Sequence, residues 1–310
     1  MTPSPRRLWL YLSTTYPPLL TAPFAAISYL ALAWSLLAAR GLPPRLGRAT
    51  LAGILGTFLF LLFLRVSDEL KDSESDKIHF PERLLPSGRI TPGDLWLLWW
   101  VALAGLIGVQ LLVPRLNGYY LALLIYGLLM FRYFFLPRLI TSHLFLALLS
   151  HNPSAFLLQL CALGWLGADP GLPSPFVARR GDLLICLLFY LPALLWELSR
   201  KLRRPSEETQ YQTYSSLLGP RRAALLTLTV ALGMLGLVVA LGPRLGTSIL
   251  ALAAQMAAFL LFAGALLRFI IQPEADGPKL GMVGQAYAIA FYAIAFCDLA
   301  LRGPRAGGMG

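Results

Sequence analysis

The sequence predicts an all-α, polytopic membrane protein in which about nine transmembrane helices surround a central cavity. The 310 residues have a mean hydropathy of +0.67 and only 13% charged residues, whereas soluble domains carry about 25%. Apolar runs recur along the whole chain, and about 20 such residues cross a bilayer. No polar segment is long enough to be a soluble domain, so residues 1–310 are predicted to form a single transmembrane domain.

Nine apolar runs define the predicted spans and their orientation. They cover residues 17–38, 49–67, 94–113, 119–136, 142–165, 182–199, 222–241, 247–269 and 283–302. If the N-terminus is cytoplasmic, 17 of the 26 basic residues lie on the cytoplasmic side, as the positive-inside rule favours. The Arg-, Leu-, Ala-, Gly- and Pro-rich composition indicates a bacterial protein. We therefore expect a multi-pass protein of the bacterial cell membrane with a cytoplasmic N-terminus.

The charge and motif content exclude several classes of function. The net charge is +11, but the basic residues lie in short loops between apolar runs and form no patch with interleaved aromatics. We therefore expect membrane lipids as partners and no nucleic acid. The three cysteines all lie inside apolar runs, where no disulfide or zinc spacing is present. The sequence has no P-loop, G-x-S-x-G, H-E-x-x-H or C-x-x-C motif, which argues against nucleotide, hydrolase and zinc chemistry.

A first charged segment follows the second predicted span. Residues 65–94 contain seven of the 15 acidic residues, and Asp68, Asp72 and Asp76 are spaced by four. On a helix that continues from the span, these three carboxylates would lie near one face and would repel one another without a cation. Oxygen ligands of this kind suit Mg²⁺. The alternative is a solvated acidic face paired locally with Lys71 and Lys77.

A second charged segment, "WELSRKLRRPSEETQYQTYSSLLG", follows the sixth predicted span. Glu197, Arg200 and Lys201 have the i, i+3, i+4 spacing of a salt-bridged helix end. Glu197 is otherwise expected to bind a second Mg²⁺, with Arg200 and Lys201 on phosphate oxygens. A third interpretation has the positive charge replacing a metal ion or binding an anionic acceptor. Two polar segments four spans apart resemble the two halves of one site.

The first segment resembles a motif of the UbiA superfamily of intramembrane prenyltransferases. "DELKDSESD", then "ERLLPSGRITPGD" and a new span, is similar to N-D-x-x-D-x-x-x-D followed by R-P-L-x-S-G-R. Asp68 stands in place of the usual Asn and Glu69 in place of the first Asp, while Asp72 and Asp76 match the later two. In the second motif of that family Glu197 takes the first acidic position, and basic residues stand where the next Asp is usual.

This resemblance implies an Mg²⁺-dependent prenyltransferase. Such an enzyme transfers an isoprenyl group from an allylic isoprenyl diphosphate to a lipophilic acceptor and releases diphosphate. The catalytic and metal-binding residues it implies are Asp68, Asp72, Asp76 and Glu197. The diphosphate-binding residues it implies are Arg83, Arg132, Arg138, Arg200 and Lys201. The active site is expected in two cytoplasmic loops, at about residues 68–93 and 200–221.

Two other functions fit the same residues. A terpene cyclase on this scaffold would ionise the isoprenyl diphosphate and let the prenyl chain attack its own cation without an acceptor. A non-catalytic lipid-binding or transport protein would explain the loss of Asp residues from the second motif. The "PSGR" sequence that follows the first motif favours an enzyme.

Overall fold

The computed structural model describes residues 2–172 and 178–302, and within these ranges it contains helices and no β-strand. The α-helices are α1 (Pro5–Thr14), α2 (Pro18–Ala38), α3 (Arg48–Lys71), α4 (Ser73–His79), α5 (Pro92–Val109), α6 (Gly118–Phe131), α7 (Pro137–Ser142), α8 (Leu144–Gly167), α9 (Arg180–Arg200), α10 (Tyr214–Leu218), α11 (Pro220–Leu245), α12 (Ile249–Ile271) and α13 (Leu280–Leu301). Short 3₁₀ turns cover Gln110–Leu112, Tyr133–Phe135 and Pro205–Glu207.

The predicted membrane architecture is confirmed. In the described part of the chain, eight helices are long and apolar enough to cross a membrane, and each corresponds to one predicted span. The remaining predicted span, 119–136, forms the shorter α6 of 14 residues. It ends early because the chain turns at Tyr133–Phe135, where the backbone leaves the right-handed helical region.

Helices α3 and α9 both extend beyond the C-terminal ends of the apolar spans from which they were predicted. Helix α3 continues past residue 67 to Lys71, and α9 continues to Arg200. Ion pairs one helical turn apart accompany both extensions, namely Arg65–Glu69 on α3 and Glu197–Arg200 on α9. Pairs at these spacings stabilise helix ends. Both extensions carry charged side chains beyond the apolar part of the bundle.

The interior of the bundle is formed by α2, α3, α8, α9 and α13. Helix α13 packs against both α2 and α9, while α3 and α8 both pack against α2. Aromatic pairs join α2 to α13, with Trp34 stacked on Phe296 at a centroid distance of 5.3 Å. Helix α5 packs outside α3, α6 packs against α8 and α3, and α11 and α12 cover α9 and α13. This arrangement brings the C-terminal ends of α3 and α9 to the same end of the bundle.

Helix α1 is anchored at that same end. Thr91 caps α5 in a capping box with Asp94, which satisfies free backbone N–H groups at the helix start. The fully buried Asp94 carboxylate also accepts from Arg7 Nε at 2.7 Å and from the Ser4 backbone N–H at 2.9 Å. One carboxylate therefore starts α5 and ties α1 beside the first charged segment.

Candidate functional site

The two charged segments meet through aromatic contacts. The ring of Tyr211, from the second segment, lies 6.0 Å from the His79 ring and 5.5 Å from the Phe80 ring of the first. Arg83 stacks on Phe80 at 4.0 Å, and Arg203 lies over Tyr211 at 5.7 Å. Two loops predicted from distant parts of the sequence therefore form one site at one end of the bundle.

The three aspartates of the first segment remain about one helical turn apart, but their helix is not continuous. Helix α3 ends at Lys71, and Asp72 has φ −94° and ψ 6° before α4 begins. Helical hydrogen bonds nevertheless join Asp72 N to Asp68 O and Asp76 N to Asp72 O, both at 2.9 Å. The single straight helix expected from the spacing is therefore bent at its middle aspartate.

Two of these aspartates are bound by cations from the chain itself. Lys71 Nζ lies 2.8 Å from Asp68, whose carboxylate is 46% exposed. Arg83 binds Asp76 at 2.6 Å, and that carboxylate is 7% exposed. The two acids therefore differ in accessibility, and Asp68 is the one that a ligand from the aqueous side reaches.

Asp72 is bound by a neutral group, the hydroxyl of Tyr133, which donates to it. Burial raises the pKa of the Asp72 carboxyl above its ordinary value, and the Lys71 charge and the Tyr133 hydrogen bond oppose this shift. Tyr133 lies in a turn whose three residues have φ of 48°, 50° and 62°. Left-handed backbone costs about 1–2 kcal/mol per non-glycine residue, so this turn is strained where it reaches the site.

Glu69 lies deeper than Asp68. Its carboxylate is 5% exposed and pairs with Arg65 at 2.5 Å. The buried Tyr11 of α1 lies within electrostatic range of both Arg65 and Glu69. The first acidic position of the motif is thus occupied here by a buried glutamate that pairs with a partly exposed arginine.

Lys71 is held in place by a histidine from α8. Its Nζ lies 2.9 Å from His151 Nε2, and its side chain is only 6% exposed. His151 Nδ1 is 2.8 Å from the Ala147 carbonyl oxygen, which can only accept, so we assign the proton to Nδ1. His151 Nε2 then accepts a hydrogen bond from the Lys71 ammonium, and the ring is neutral.

In the second segment, both oxygens of the Glu197 carboxylate bind cations of the chain. Arg200 Nε lies 2.5 Å from one oxygen and Lys201 Nζ lies 3.3 Å from the other. The ion-pair arrangement predicted from the i, i+3, i+4 spacing is therefore present. Burial lowers the pKa of Lys201, and the Glu197 charge opposes this shift. The Lys201 ammonium also lies 5.7 Å from the Tyr214 ring centre.

The charges of the two segments act on one another directly. Lys201 lies within electrostatic range of Asp72, and Arg200 within range of Asp68. His151 lies within electrostatic range of Lys71, Asp68 and Glu197. The candidate site is therefore one electrostatic unit built from α3, α8 and α9.

Arg132 and Arg138 lie outside this unit in the structure. Both side chains are exposed, and Arg132 lies over the neighbouring Phe131 ring. In the described ranges neither arginine pairs with an acid of the two segments, whereas Tyr133 between them contacts Asp72. Their predicted role on the diphosphate therefore stays a prediction.

An open cavity lies beside the second segment. It has a volume of about 350 Å³ and is lined by residues 142–146 together with Gln212 and Leu217. Phe145 in its wall packs against Tyr214 with ring centres 5.5 Å apart. The cavity therefore opens next to the tyrosine that lies under Lys201.

Sequence reasoning did not single out Lys71, His151 or Tyr211 as site residues. Lys71 was interpreted only as a local pairing partner, and His151 lies 80 positions further along the chain. For Lys71 the sequence contains one signal, the scarcity of lysine. Only four of the 26 basic residues are lysines, and three of these, Lys71, Lys77 and Lys201, lie in the charged segments.

Comparison with solved structures identifies the architecture. A UbiA homologue from Aeropyrum pernix K1 superposes with a TM-score of 0.63 at 15% identity, over 89% of this chain and 97% of that one. The chain has the UbiA fold. A structure concerning digeranylgeranylglyceryl phosphate synthase gives 0.57 at 15% identity, over 95% and 99% of the two chains. A UbiA homologue from Archaeoglobus fulgidus, bound to DMAPP and Mg²⁺, gives 0.51 at 16%, over 92% and 99%. No protein-family model and no curated protein sequence matches this chain.

The donor set of the first segment fits a magnesium ion shared with a substrate. Among residues 2–172 and 178–302, no three His, Cys, Asp or Glu side chains come together to hold a metal unaided. Mg²⁺ is commonly bound by one or two carboxylates together with phosphate oxygens. Asp68 is accessible, and Asp72 is bonded to a neutral phenol rather than a cation. These two carboxylates suit such a shared site.

Proposed function

We propose that this UbiA-fold chain is a member of the UbiA superfamily and acts as an Mg²⁺-dependent intramembrane prenyltransferase. Its donor is an allylic isoprenyl diphosphate and its acceptor is lipophilic. One observation carries the proposal: two charged segments meet at one end of an apolar helix bundle. An isoprenyl diphosphate has the matching form, an apolar tail with a multiply charged head.

Several groups of the site have a corresponding task in this reaction. Asp68 and Asp72 would hold Mg²⁺, which neutralises the diphosphate and makes it a better leaving group. Arg83 is 37% exposed and stacked on Phe80, so its guanidinium can donate two hydrogen bonds to phosphate oxygens. When the carbon–oxygen bond breaks, the aromatic faces beside the site stabilise the allylic cation, and apolar helices keep water away.

We propose that this end of the bundle faces the cytoplasm of a bacterial cell. The segments that cover residues 65–89 and 200–222 carry 11 of the 17 basic residues assigned to that side, and basic residues between and at the ends of spans favour the cytoplasm. The test is accessibility of single cysteines to a membrane-impermeant thiol reagent in intact cells. A cysteine at exposed Ser206 should stay unlabelled until the cells are opened, whereas one at exposed Leu116 should react at once.

The decisive experiment is turnover of defined donors. The purified protein would be given C15 and C20 allylic diphosphates with and without Mg²⁺, and the release of diphosphate and the lipid product would be measured. Release that requires both Mg²⁺ and a lipid extract as acceptor supports prenyl transfer. Release without acceptor, yielding a cyclic hydrocarbon, identifies a cyclase. The absence of Mg²⁺-dependent turnover with every donor would refute both enzymatic functions.

A further inference from the structure

A pair of polar side chains joins α8 to α9 inside the apolar part of the bundle. The Tyr190 hydroxyl donates a hydrogen bond to Asn152 Oδ1 at 3.1 Å. Both residues lie within helices that are long and apolar enough to cross a membrane. Asn152 directly follows His151, whose Nε2 lies 2.9 Å from the Lys71 ammonium. The pair is therefore a neighbour of the charged site, although it has no task in binding the diphosphate.

Tyr190 lies on the face of α9 that carries the acid of the second segment. It precedes Glu197 by seven residues in this helix, and residues seven apart on an α-helix point in directions only about 20° apart. The same spacing places Tyr190 about 10 Å deeper in the bundle than Glu197. The polar pair therefore lies on the membrane side of the charged segments.

The Asn152 amide lies on the inner side of the contact between α8 and α9. On α8, Asn152 points about 100° away from His151, and Phe156 points about 40° further in the same sense. The Phe156 ring packs on the Tyr190 ring with centres 5.8 Å apart. The amide is therefore placed between His151, which contacts Lys71, and this aromatic contact.

The hydrogen-bonding capacity of Asn152 is only partly used. Within the described part of the chain its amide accepts from Tyr190, and its two N–H groups donate to no protein atom. Asn117 is the contrasting case, since it is 1% exposed, donates to the Cys161 carbonyl at 2.9 Å and accepts from the Tyr120 N–H at 3.1 Å.

Asn152, by contrast, is only partly buried. An amide that serves only to join helices is expected to resemble Asn117, because an unbonded polar group among apolar side chains costs free energy. The accessible N–H groups of Asn152 therefore indicate a ligand.

The unused atoms of the pair match one functional group. Asn152 offers N–H donors, and the Tyr190 oxygen can still accept after donating its own hydrogen. A hydroxyl group both accepts and donates, so it can bond to both side chains at once. A carbonyl group can only accept, and a prenyl tail can do neither.

We propose that Asn152 and Tyr190 bind the hydroxyl group of the acceptor, which is therefore a phenol or a lipid alcohol. The assignment of this ligand as the acceptor rests on the proposed function. The reacting carbon of an allylic diphosphate is the first carbon of its apolar tail, so it lies on the membrane side of the head group. A hydroxyl bound by the pair lies on that same side.

The test is thermal unfolding of the full-length protein in detergent during titration with naphthol, a phenol, and with oleyl alcohol, a lipid alcohol. A ligand that binds the folded state raises Tm as its concentration increases. At least one of the two compounds should bind, and its methyl ether should bind about fivefold more weakly, the usual effect of losing one hydrogen bond. The compound that binds identifies which kind of hydroxyl the site accepts. Ethers that bind as tightly as the hydroxyl compounds, or no binding by either compound, would overturn the proposal.

Two variants locate this preference in the pair. Tyr190→Phe and Asn152→Leu should each lower the affinity for the hydroxyl compound about fivefold and leave the affinity for its ether unchanged. Gln159→Leu is the matched control, because the amide of this residue on the same helix already donates to the Ala155 carbonyl at 3.3 Å. A preference for the hydroxyl compound that survives in both variants would contradict the assignment. The comparison of each compound with its ether in the wild type needs no variant to fold.

These outcomes are distinguishable from failure of the proposed function. Hydroxyl-selective binding that depends on the pair, without turnover of any prenyl donor, would support the site and refute the transferase. Mg²⁺-dependent prenyl transfer in which neither variant changes the KM for the acceptor would support the transferase and refute the inference.

Discussion

The two charged segments share one local arrangement of side chains and differ in the sign of their net charge. Acidic residues are in excess in the first, and basic residues are in excess in the second. In each, an acid near the end of a helix pairs with a lysine about one turn later, and the ammonium group of that buried lysine lies near the face of a tyrosine ring. The first segment adds further acids, and in the described part of the chain the carboxylate of one of them, Asp72, accepts a hydrogen bond from the neutral Tyr133 hydroxyl and forms no ion pair. The second instead surrounds Glu197 with two cations. The comparison indicates that the first half is suited to a metal ion and the second to an anion.

Replacing Asp72, the acid of the first half that pairs with a neutral hydroxyl, tests this difference with the largest expected effect. Asp72→Asn should lower Mg²⁺-dependent turnover about 100-fold or more, the scale seen when one charge-stabilising group is removed from an active site. The measurement is diphosphate release at saturating donor. Glu74→Gln is the matched control, because that carboxylate is fully accessible and should leave the rate unchanged. Full activity of Asp72→Asn would show that this carboxylate does not bind the metal ion and would contradict the metal site assigned to the first half.

The same substitution should stabilise the protein, and the effect should depend on pH. Burial raises the pKa of Asp72 in the folded state, so the unfolded chain loses this proton first, and the fold becomes less stable as the pH rises from the ordinary value of this pKa toward the raised one. Asp72→Asn should therefore melt above the wild type at pH 8, with a difference that shrinks as the pH falls toward the ordinary value of about 4. A difference independent of pH would contradict the assigned cause.

Removing the hydroxyl bonded to that acid should have an intermediate effect. Tyr133→Phe deletes the hydrogen bond to Asp72, which should raise the pKa of this carboxyl further. A hydrogen bond to a charged group is worth about 1.5–3 kcal/mol, so we expect turnover to fall about tenfold. The loss should be larger at pH 6 than at pH 8, because protonation of Asp72 then competes with metal binding. Tyr126→Phe, on the same side of the bundle, should leave the pH profile unchanged.

The smallest effect is expected at the two arginines beside this tyrosine. Arg132 and Arg138 are exposed and, among the described residues, contact neither half of the site. Exposed charges contribute little, so Arg132→Ala and Arg138→Ala should each change turnover within about threefold. A larger loss in either variant, with an unchanged melting temperature, would assign that arginine to the diphosphate as the family resemblance implies.

Local interactions in the sequence predicted a large part of this structure. Nine predicted spans correspond to eight long helices and the shorter α6, because about 20 apolar residues in a bilayer must satisfy their backbone hydrogen bonds within a helix. The Glu197–Arg200–Lys201 ion pairs were one of three interpretations of that segment, the one that its spacing alone offers, and they are present. Helical geometry fixes contacts within one turn, so such pairs require no knowledge of the rest of the chain.

The sequence by itself therefore determined the spans, the acidic motif and the ion pairs within a helix. Only the tertiary structure decided which distant groups complete the site. Tyr133 reaches Asp72 from 61 residues away, and His151 holds Lys71 from 80 residues away. These contacts depend on how α6 and α8 pack against α3, and packing follows from the shapes of many side chains at once rather than from a periodic pattern.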